Sequence, residues 1–576
     1  MEHDVKNELP SFNLVYEPWI PVVCTDGTAE TISLQKLYRE APCIREITGD
    51  CPQQSIVIIR LALAVLYRAY ETGYEAASFS TDDMDDLWLE TWRDGVFDEE
   101  IVDDYLTEFS AGFDLFGDHP FMQVPGLAYQ KAKGSSKKQK EFDPVSELVA
   151  DVPKPEKFLF STRTRQSSNR DKPILDSLDF AEAARWLLFA MAYDTAGIKT
   201  PVVGNSHAKS GKAYSPKGLC GTGLLGGMEG VYLEGENLFQ TLMLNWVLHD
   251  NRASNNAFFG NEADIPSWEL SLNDDPRVLT GDMVERPIDG PVSLFTWQSR
   301  RVRLVPSDDG RSVKGIIRCY GDVTSLERAR RVETMCPWRE NPTLQKKLGS
   351  AEIPWTPIRP TPSKALWRGL SSLLSVDSAS GDFRPGVIRW ADEMTRKLGE
   401  DAPSIAIHAQ GMSYGTQSSV FDDGMDDSIN ISALLLRNDA PAIGKTVQVV
   451  ANTDKAVFAL KKLAENLERV AGDKRNGSDQ AGWIEDRAYA ELDQLFRDRL
   501  ANFGVDEDAD EYCIEWSNEV HRILLDLGDD LLDRTGASQF AAHGDFSAAD
   551  AFAWFKKNLN DNLGVLPRAA SRKEQR

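Results

Sequence analysis

Gly411-Met-Ser413-Tyr-Gly415 has the GxSxG spacing of a nucleophile elbow, in which a serine on a tight strand-to-helix turn attacks an acyl carbon while an acid and a histidine relay the proton. SIAIHAQ ahead of it reads as the required strand, and His521 or His543 would keep hydrolase chain order, with Ser413 as nucleophile of an α/β-hydrolase-like esterase. The next residues, TQSSVFDDGMDDS, have neither the apolar periodicity nor the length of a helix, so no helix N-terminus supplies an oxyanion donor. A hairpin tip or exposed turn over Met412 to Ser419 fits better, and the esterase stands as the alternative.

Two glycine-rich stretches invite phosphate chemistry. Gly221-Thr-Gly223-Leu-Leu-Gly226 matches GxGxxG, but a dinucleotide site needs a strand before it and a helix after it, and KAYSPKGLC and GMEGVYLEG are neither. Gly204 to Lys212 (GNSHAKSGK) has six residues rather than four between its glycines, and Ala213 stands where a Ser or Thr would ligate magnesium. Metal chemistry fares no better: the histidines at 3, 119, 207, 249, 408, 521 and 543 form no HxxxH or HExxH, and the cysteines at 24, 43, 51, 220, 319, 336 and 513 form no CxxC. The residues alone point to a binding protein with no catalytic centre, metal or cofactor.

The chain has 576 residues, 64 Lys+Arg against 90 Asp+Glu and a net charge of -26, which excludes a generally basic nucleic-acid coat. Hydrophobic residues at 41% and charged residues at 27% are globular values. An odd number of unpaired thiols implies a reducing compartment, and MEHDVKNELPSF lacks the basic and apolar regions of a secretory signal. The best apolar run, Ile56 to Tyr67, is 12 residues long and contains Arg60. It falls short of the roughly 20 that span a bilayer. It reads as a buried helix, and the protein as cytoplasmic, with no membrane partner.

Charge is segregated. Lys154 to Lys217 has 11 basic and 6 acidic residues, Gln298 to Arg339 has 10 and 5, and Ala501 to Asp550 has 2 and 13. The two basic stretches read as loop-rich.

The positioning elements follow from pattern. Phe12 to Cys24 reads as a strand entering a hairpin at Thr25-Asp26-Gly27, Pro52 to about Tyr70 as a helix, and DDMDDLWLETW as a helix capped by Ser80 or Thr81. Gly126 to Pro173 reads as long exposed loop. Near the C-terminus, Val457, Leu460, Leu463, Leu467 and Val470 recur at three and four. So do Trp516, Val520, Ile523, Leu527 and Leu531; Tyr489, Leu492, Phe496 and Leu500; and Phe552, Phe555 and Leu559. These predict a four-helix bundle over residues 440–566, followed by a frayed tail at 567–576.

In order along most of the chain, several segments resemble the large-subunit family (CasA) of the type I-E CRISPR surveillance complex Cascade. They are Asn13-Leu14 with Trp19-Ile20-Pro21-Val22, His119-Pro-Phe-Met-Gln123, the block Gly221 to Gly235 leading into LFQTLMLNWV, Leu294-Phe295-Thr296-Trp297-Gln298, and Gly415-Thr-Gln-Ser-Ser419. The resemblance implies an α+β protein: a large mixed N-terminal domain, here 1–439, before the bundle. It implies a noncatalytic subunit that reads a short protospacer-adjacent motif on double-stranded DNA, wedges the duplex open for guide RNA pairing and helps recruit a nuclease-helicase. Its other partners are the remaining Cascade subunits and the guide RNA. Pairing reads the long sequence in such machines; protein reads the short motif.

Residue by residue, the resemblance places the wedge at Gln417, flanked by Thr416, Ser418 and Ser419. The family can have Asn where this chain has Thr416, which leaves the motif preference open. A glycine-rich loop falls in Ser210 to Gly218, with Lys212, Lys217 and Gly218 as DNA contacts. A docking loop falls at about Lys154 to Lys172, with Phe158 and Phe160 as apolar anchors and Arg163 and Arg165 as phosphate or subunit contacts. The family's minor-groove lysine has no direct match, and Arg328, Arg330 and Arg331 are its substitutes.

Overall fold

The first strand is shorter than the apolar run that encodes it. Asn13 to Glu17 turns back on itself, with Tyr16 and Glu17 amides donating to the Asn13 carbonyl, and only β1 (Ile20–Cys24) is extended. It pairs with β2 (Ala29–Ile32) across the Asp26-Gly27 turn, where the Asp26 carboxylate accepts from the Thr28 amide at 2.9 Å, and with β3 (Ile44–Ile47) on its other edge. In this computed structural model the described residues are 10–131, 140–150, 175–215, 220–250, 256–374, 376–377, 381–382, 384–432, 440–470, 479–503, 508–535 and 546–564.

Helix α1 (Gln54–Gly73) is buried on nearly every side, as its unbroken apolar run requires of a central helix. Arg60 survives there because both of its terminal nitrogens donate to the Glu333 carboxylate, at 3.0 and 2.9 Å. Helix α2 (Thr81–Asp94) starts at Ser80, whose hydroxyl accepts from the Asp83 amide while Asp83 returns the bond. Helix α3 (Phe180–Tyr193) is capped by Asp179. Its far end is closed by the GxGxxG stretch: the amides of Gly223, Leu224 and Leu225 donate to the carbonyls of Asp194, Met191 and Ala192, at 2.8, 3.2 and 2.8 Å. A Cβ on Gly223 would stand 2.3 Å from the Ala192 carbonyl carbon. These glycines therefore serve a helix terminus rather than a phosphate.

Two small sheets follow. Strand β4 (Gly230–Glu234) is the edge of a sheet completed by a long hairpin described below. Strands β5 (Arg300–Pro306) and β6 (Val313–Tyr320) are antiparallel, and Asp143–Pro144 adds to β6. The basic stretch 298–339 thus holds a strand pair as well as loop. Arg300 and Arg301 are buried because each finds a carboxylate, Asp194 and Asp322 respectively. Residues 140–150 also depart from the exposed-loop expectation: Val145, Leu148 and Val149 are buried.

Strands β7 (Ile405–Tyr414) and β8 (Phe421–Ile431) make the long hairpin, giving the sheet order β8-β7-β4. Gln410 on β7 ties it to α1 by accepting from the Ile56 amide at 3.2 Å.

The C-terminal helices are α4 (Ala440–Val470), α5 (Asp479–Ala501), α6 (Ala509–Asp533) and α7 (Ala548–Leu563). Helix α4 packs against each of the other three, and the periodic residues read from the sequence are buried there, Tyr489 being half-buried. The chain divides into two compact units, Met1–Pro362 with Phe383–Ser428, and Ser363–Asp382 with Ile429–Arg576. The second unit thus takes in a segment far upstream of residue 440. Trp367, fully buried, joins the bundle by donating to Asp493 at 2.8 Å and packing on Phe496. No helix among the described residues is long and apolar enough to cross a membrane.

Candidate nucleic-acid interface

The β7–β8 hairpin ends in a tight tip. The Gly415 amide donates to Val420 at 3.0 Å, the Ser418 amide to Gly415 at 3.0 Å, and the Ser419 hydroxyl to Thr416 at 2.8 Å. This folds Gln417 (φ 57°, ψ 23°) and Ser418 (φ 51°) into the left-handed region, which costs a non-glycine residue about 1 kcal/mol and persists only where neighbours enforce it. Thr416 and Gln417 are exposed. The Gln417 amide has no hydrogen-bond partner among the described residues, and so presents two donors and an acceptor outward.

The tip rests on the residues that follow α3. The Ala196 amide donates to the Ser418 carbonyl at 2.8 Å, and the Tyr414 hydroxyl donates to the Tyr193 carbonyl at 2.6 Å. From the other side the Tyr320 hydroxyl meets the Ala196 and Gly197 carbonyls at 2.8 and 2.9 Å.

Below this seat lies a buried ion cluster. The Asp194 carboxylate takes Arg300, Lys199 at 2.6 Å and Arg318 at 2.7 Å. Burial opposes its charge, but the three cations outweigh burial and hold the carboxyl far below the usual range. Burial pushes the Lys199 ammonium down to about 7, with Arg318 and Arg300 adding and Asp194 opposing. Arg300 also donates to the Asp194, Thr195 and Gly221 carbonyls, at 3.1, 3.1 and 3.0 Å.

Lys199 then exchanges both backbone hydrogen bonds with Ala213. The chain between them reverses at Lys209-Ser210-Gly211-Lys212, where the two lysines exchange amide-to-carbonyl bonds at 2.9 and 3.0 Å. Ser210 (φ 52°) and Gly211 (φ 71°) both take positive φ, as a type I′ turn demands. Both lysines are exposed. Only Ala196 to Lys199, about 10 Å of extended chain, separates the Lys199–Ala213 bridge, which adjoins this turn at Lys212, from the residue that holds the Gln417 tip.

Through Ala196 to Lys199 the chain links the tip residues Gln417, Thr416, Ser418 and Ser419 to the turn that carries Lys212 and, with it, Lys209. Of the arginines offered as minor-groove cations, Arg328 is engaged by Glu285 at 2.5 Å, Arg330 lies 4.6 Å over the Trp355 ring, and Arg331 is exposed. Lys217 and Gly218, and the docking-loop residues Phe158, Phe160, Arg163 and Arg165, lie outside the described residues. Ser413 sits inside β7 with its hydroxyl donating to the Asp423 carbonyl at 3.2 Å, so the strand-turn-helix of a nucleophile elbow is not formed there. His521 lies on α6, bonded to Asn560 at 2.8 Å; His543 is outside the described residues.

The sequence profile of the family described as CRISPR-associated protein Cse1 matches residues 13–527. The chain belongs to the CasA/Cse1 family. It is similar to the CRISPR-associated protein CasA/Cse1 of Thermus thermophilus, 26% identical over 487 residues that make up 83% of this chain and 82% of that one. The crystal structure of Thermobifida fusca Cse1 is similar at 32% identity and a TM-score of 0.79, over 97% of this chain and 99% of that one. A chain of a CRISPR RNA-guided surveillance complex shares the fold at 17% identity and a TM-score of 0.66, over 96% of this chain and 99% of that one.

In this Cse1-family chain the motif residues that carry the resemblance are mostly framework. Gln123 of HPFMQ is buried, donating to the Leu115 carbonyl and accepting from the Leu304 amide, and Trp297 of the LFTWQ block donates to the Asp322 carbonyl. Residue patterns missed Lys209, Tyr320 and the Asp194 cluster. The basic excess at 298–339 was a signal for the cluster, but it carries no sign of which arginines turn inward.

Proposed function

We propose that the chain is the large, noncatalytic subunit of a type I-E CRISPR RNA-guided surveillance complex. In that role it recognises a protospacer-adjacent motif in double-stranded DNA and starts strand separation for the guide RNA. The observation that carries this is the Gln417 tip: an exposed, unpaired amide on a hairpin whose strained backbone is held by Ala196, which the short run to Lys199 joins to a two-lysine turn. A polar side chain pushed between base steps must replace lost base-pair hydrogen bonds, and its mount must not give way. The lysine turn supplies phosphate contacts that hold the duplex in register without reading sequence.

Arg331 completes the exposed cations, and the docking loop at 154–172 seats the subunit on its complex. The partners are the other Cascade subunits, the guide RNA, target DNA and a nuclease-helicase that joins the opened target. The compartment is the cytoplasm, and no cofactor is needed.

The test is Gln417→Ala in the reconstituted complex. Opening of a linear, motif-containing duplex, read by 2-aminopurine just past the motif, falls about tenfold or more while assembly is retained, since the lost contacts amount to one bidentate pair. Unchanged opening refutes the wedge. Lys212→Ala, by contrast, weakens binding to duplexes with and without the motif alike and lowers the salt slope by about one.

A further inference from the structure

Among the described residues, the Tyr320 side chain touches both halves of this interface. Its hydroxyl meets the carbonyls of Ala196 and Gly197 at 2.8 and 2.9 Å, and the Ala196 amide in turn holds the Ser418 carbonyl of the tip. Gly197 lies against Ser419: a Cβ there would stand 3.6 Å from the Ser419 carbonyl oxygen. The ring of Tyr320 belongs to a buried apolar cluster with Ala213, Val202, Tyr129 and Ile317, and Ala213 is the residue next to Lys212. Arg300 and Lys199 lie over the ring, at 5.1 and 5.4 Å from its centre.

A phenol is suited to this place. Its ring replaces water under the lysine turn, and its hydroxyl supplies a polar contact to two carbonyls that β6 itself does not reach. A phenylalanine keeps the first function and loses the second.

We infer that Tyr320 is a positioning residue for duplex opening: it fixes the Gln417 tip relative to the Lys209–Lys212 turn, so that wedge and phosphate grip meet one duplex at a set spacing. It touches no DNA and acts through Ala196 and Gly197. The inference rests on the wedge reading above and names the residue that makes it work.

Tyr320→Phe, made in the full chain and assembled with the guide-RNA complex, tests it. Hydrogen exchange of the full chain is the DNA-independent readout: exchange at the Ala196 amide rises about tenfold, while the β7 stem at 405–412 is unchanged, because only the seat loses its support. Motif-dependent opening falls about fivefold, with thermal stability and binding to motif-free duplex within twofold of wild type.

In the Gln417→Ala background Tyr320→Phe has no further effect on opening, since two residues acting through one contact are not additive. Unchanged exchange at Ala196, or opening within twofold of wild type while Gln417→Ala is impaired, overturns the inference and leaves the wedge intact. Independent, multiplying losses overturn it too. If Gln417→Ala alone opens the duplex normally, the wedge fails and the inference falls with it.

Discussion

Gly223→Ala probes the joint between helix and interface. The glycine is not needed for an unusual φ; it is needed because its α-carbon passes so close to the end of α3 that a methyl group would stand 2.3 Å from the backbone carbon of Ala192 and the nitrogen of Tyr193. No rotamer relieves a clash with backbone, so the segment must lift. Lifting it breaks the three bonds from Gly223, Leu224 and Leu225 to the last carbonyls of α3. At about 1 kcal/mol each the loss is about 3 kcal/mol.

Urea unfolding read by pulse proteolysis is the assay, because fragments of the larger unit separate by mass from those of the bundle. Gly482→Ala is the control: it lies in the first turn of α5, nothing stands within 4 Å of the added methyl, and a helical glycine replaced by alanine gains up to about 1 kcal/mol. The two alanines therefore shift stability in opposite directions. A cost below about 1 kcal/mol at Gly223, or an equal cost at Gly482, refutes the reasoning. Because Asp194 lies at the same joint, Gly223→Ala also weakens duplex opening.

Two further outcomes follow from buried charge. Arg60→Met strands the Glu333 carboxylate, which is fully buried, and destabilises the larger unit by about 3–5 kcal/mol, whereas Arg60→Met with Glu333→Leu recovers most of it in the same assay; equal losses for both would sink this account. His408 is held by Asp426 at 2.9 Å and Glu234 at 3.3 Å; burial disfavours its charge, but the two carboxylates prevail and raise it to about 9 from an ordinary 6.5. A raised folded value means the stabilisation is complete below about pH 6.5 and fades as pH climbs through 9. The stability gap between wild type and His408→Gln is then on the order of 3 kcal/mol near pH 6 and closes above pH 9, and a gap that ignores pH contradicts the assignment.

Periodicity located all four bundle helices, although the apolar positions it used in the first begin only at Val457. Helix α4 begins at Ala440, and its early buried face mixes Ile443, Val449 and Val450 with Thr446 and Thr453, which interrupt the apolar spacing. Thr453 is satisfied locally, donating to the Val449 carbonyl at 2.9 Å and accepting from the Trp516 indole at 3.0 Å. Hydrophobic spacing has no means of registering such residues. The same blindness governed the basic stretch: Arg300 and Arg301 count as surface charge until the fold supplies Asp194 from a distant segment and turns Asp322 of the same stretch back onto Arg301.

The candidate site was legible in part, since Gln417 and Lys212 follow from resemblance at turn-forming residues, which punctuate sequence strongly. Its mount was not, because the seat joins residues near 196, 320 and 418 that no local pattern connects.

The Asp194 cluster has a consequence for how the interface answers to its medium. Ions in solution do not reach Arg300, which is spent on a buried carboxylate and five backbone carbonyls, so the stiffness of the tip is indifferent to ionic strength. Lys209 and Lys212 stand in water, and in the proposed role their hold on phosphate fades as counterions compete. On that proposal, added salt loosens capture and leaves the wedge itself intact. Moderate salt would then speed sampling of duplex that lacks the motif without blunting the step that opens duplex that has it.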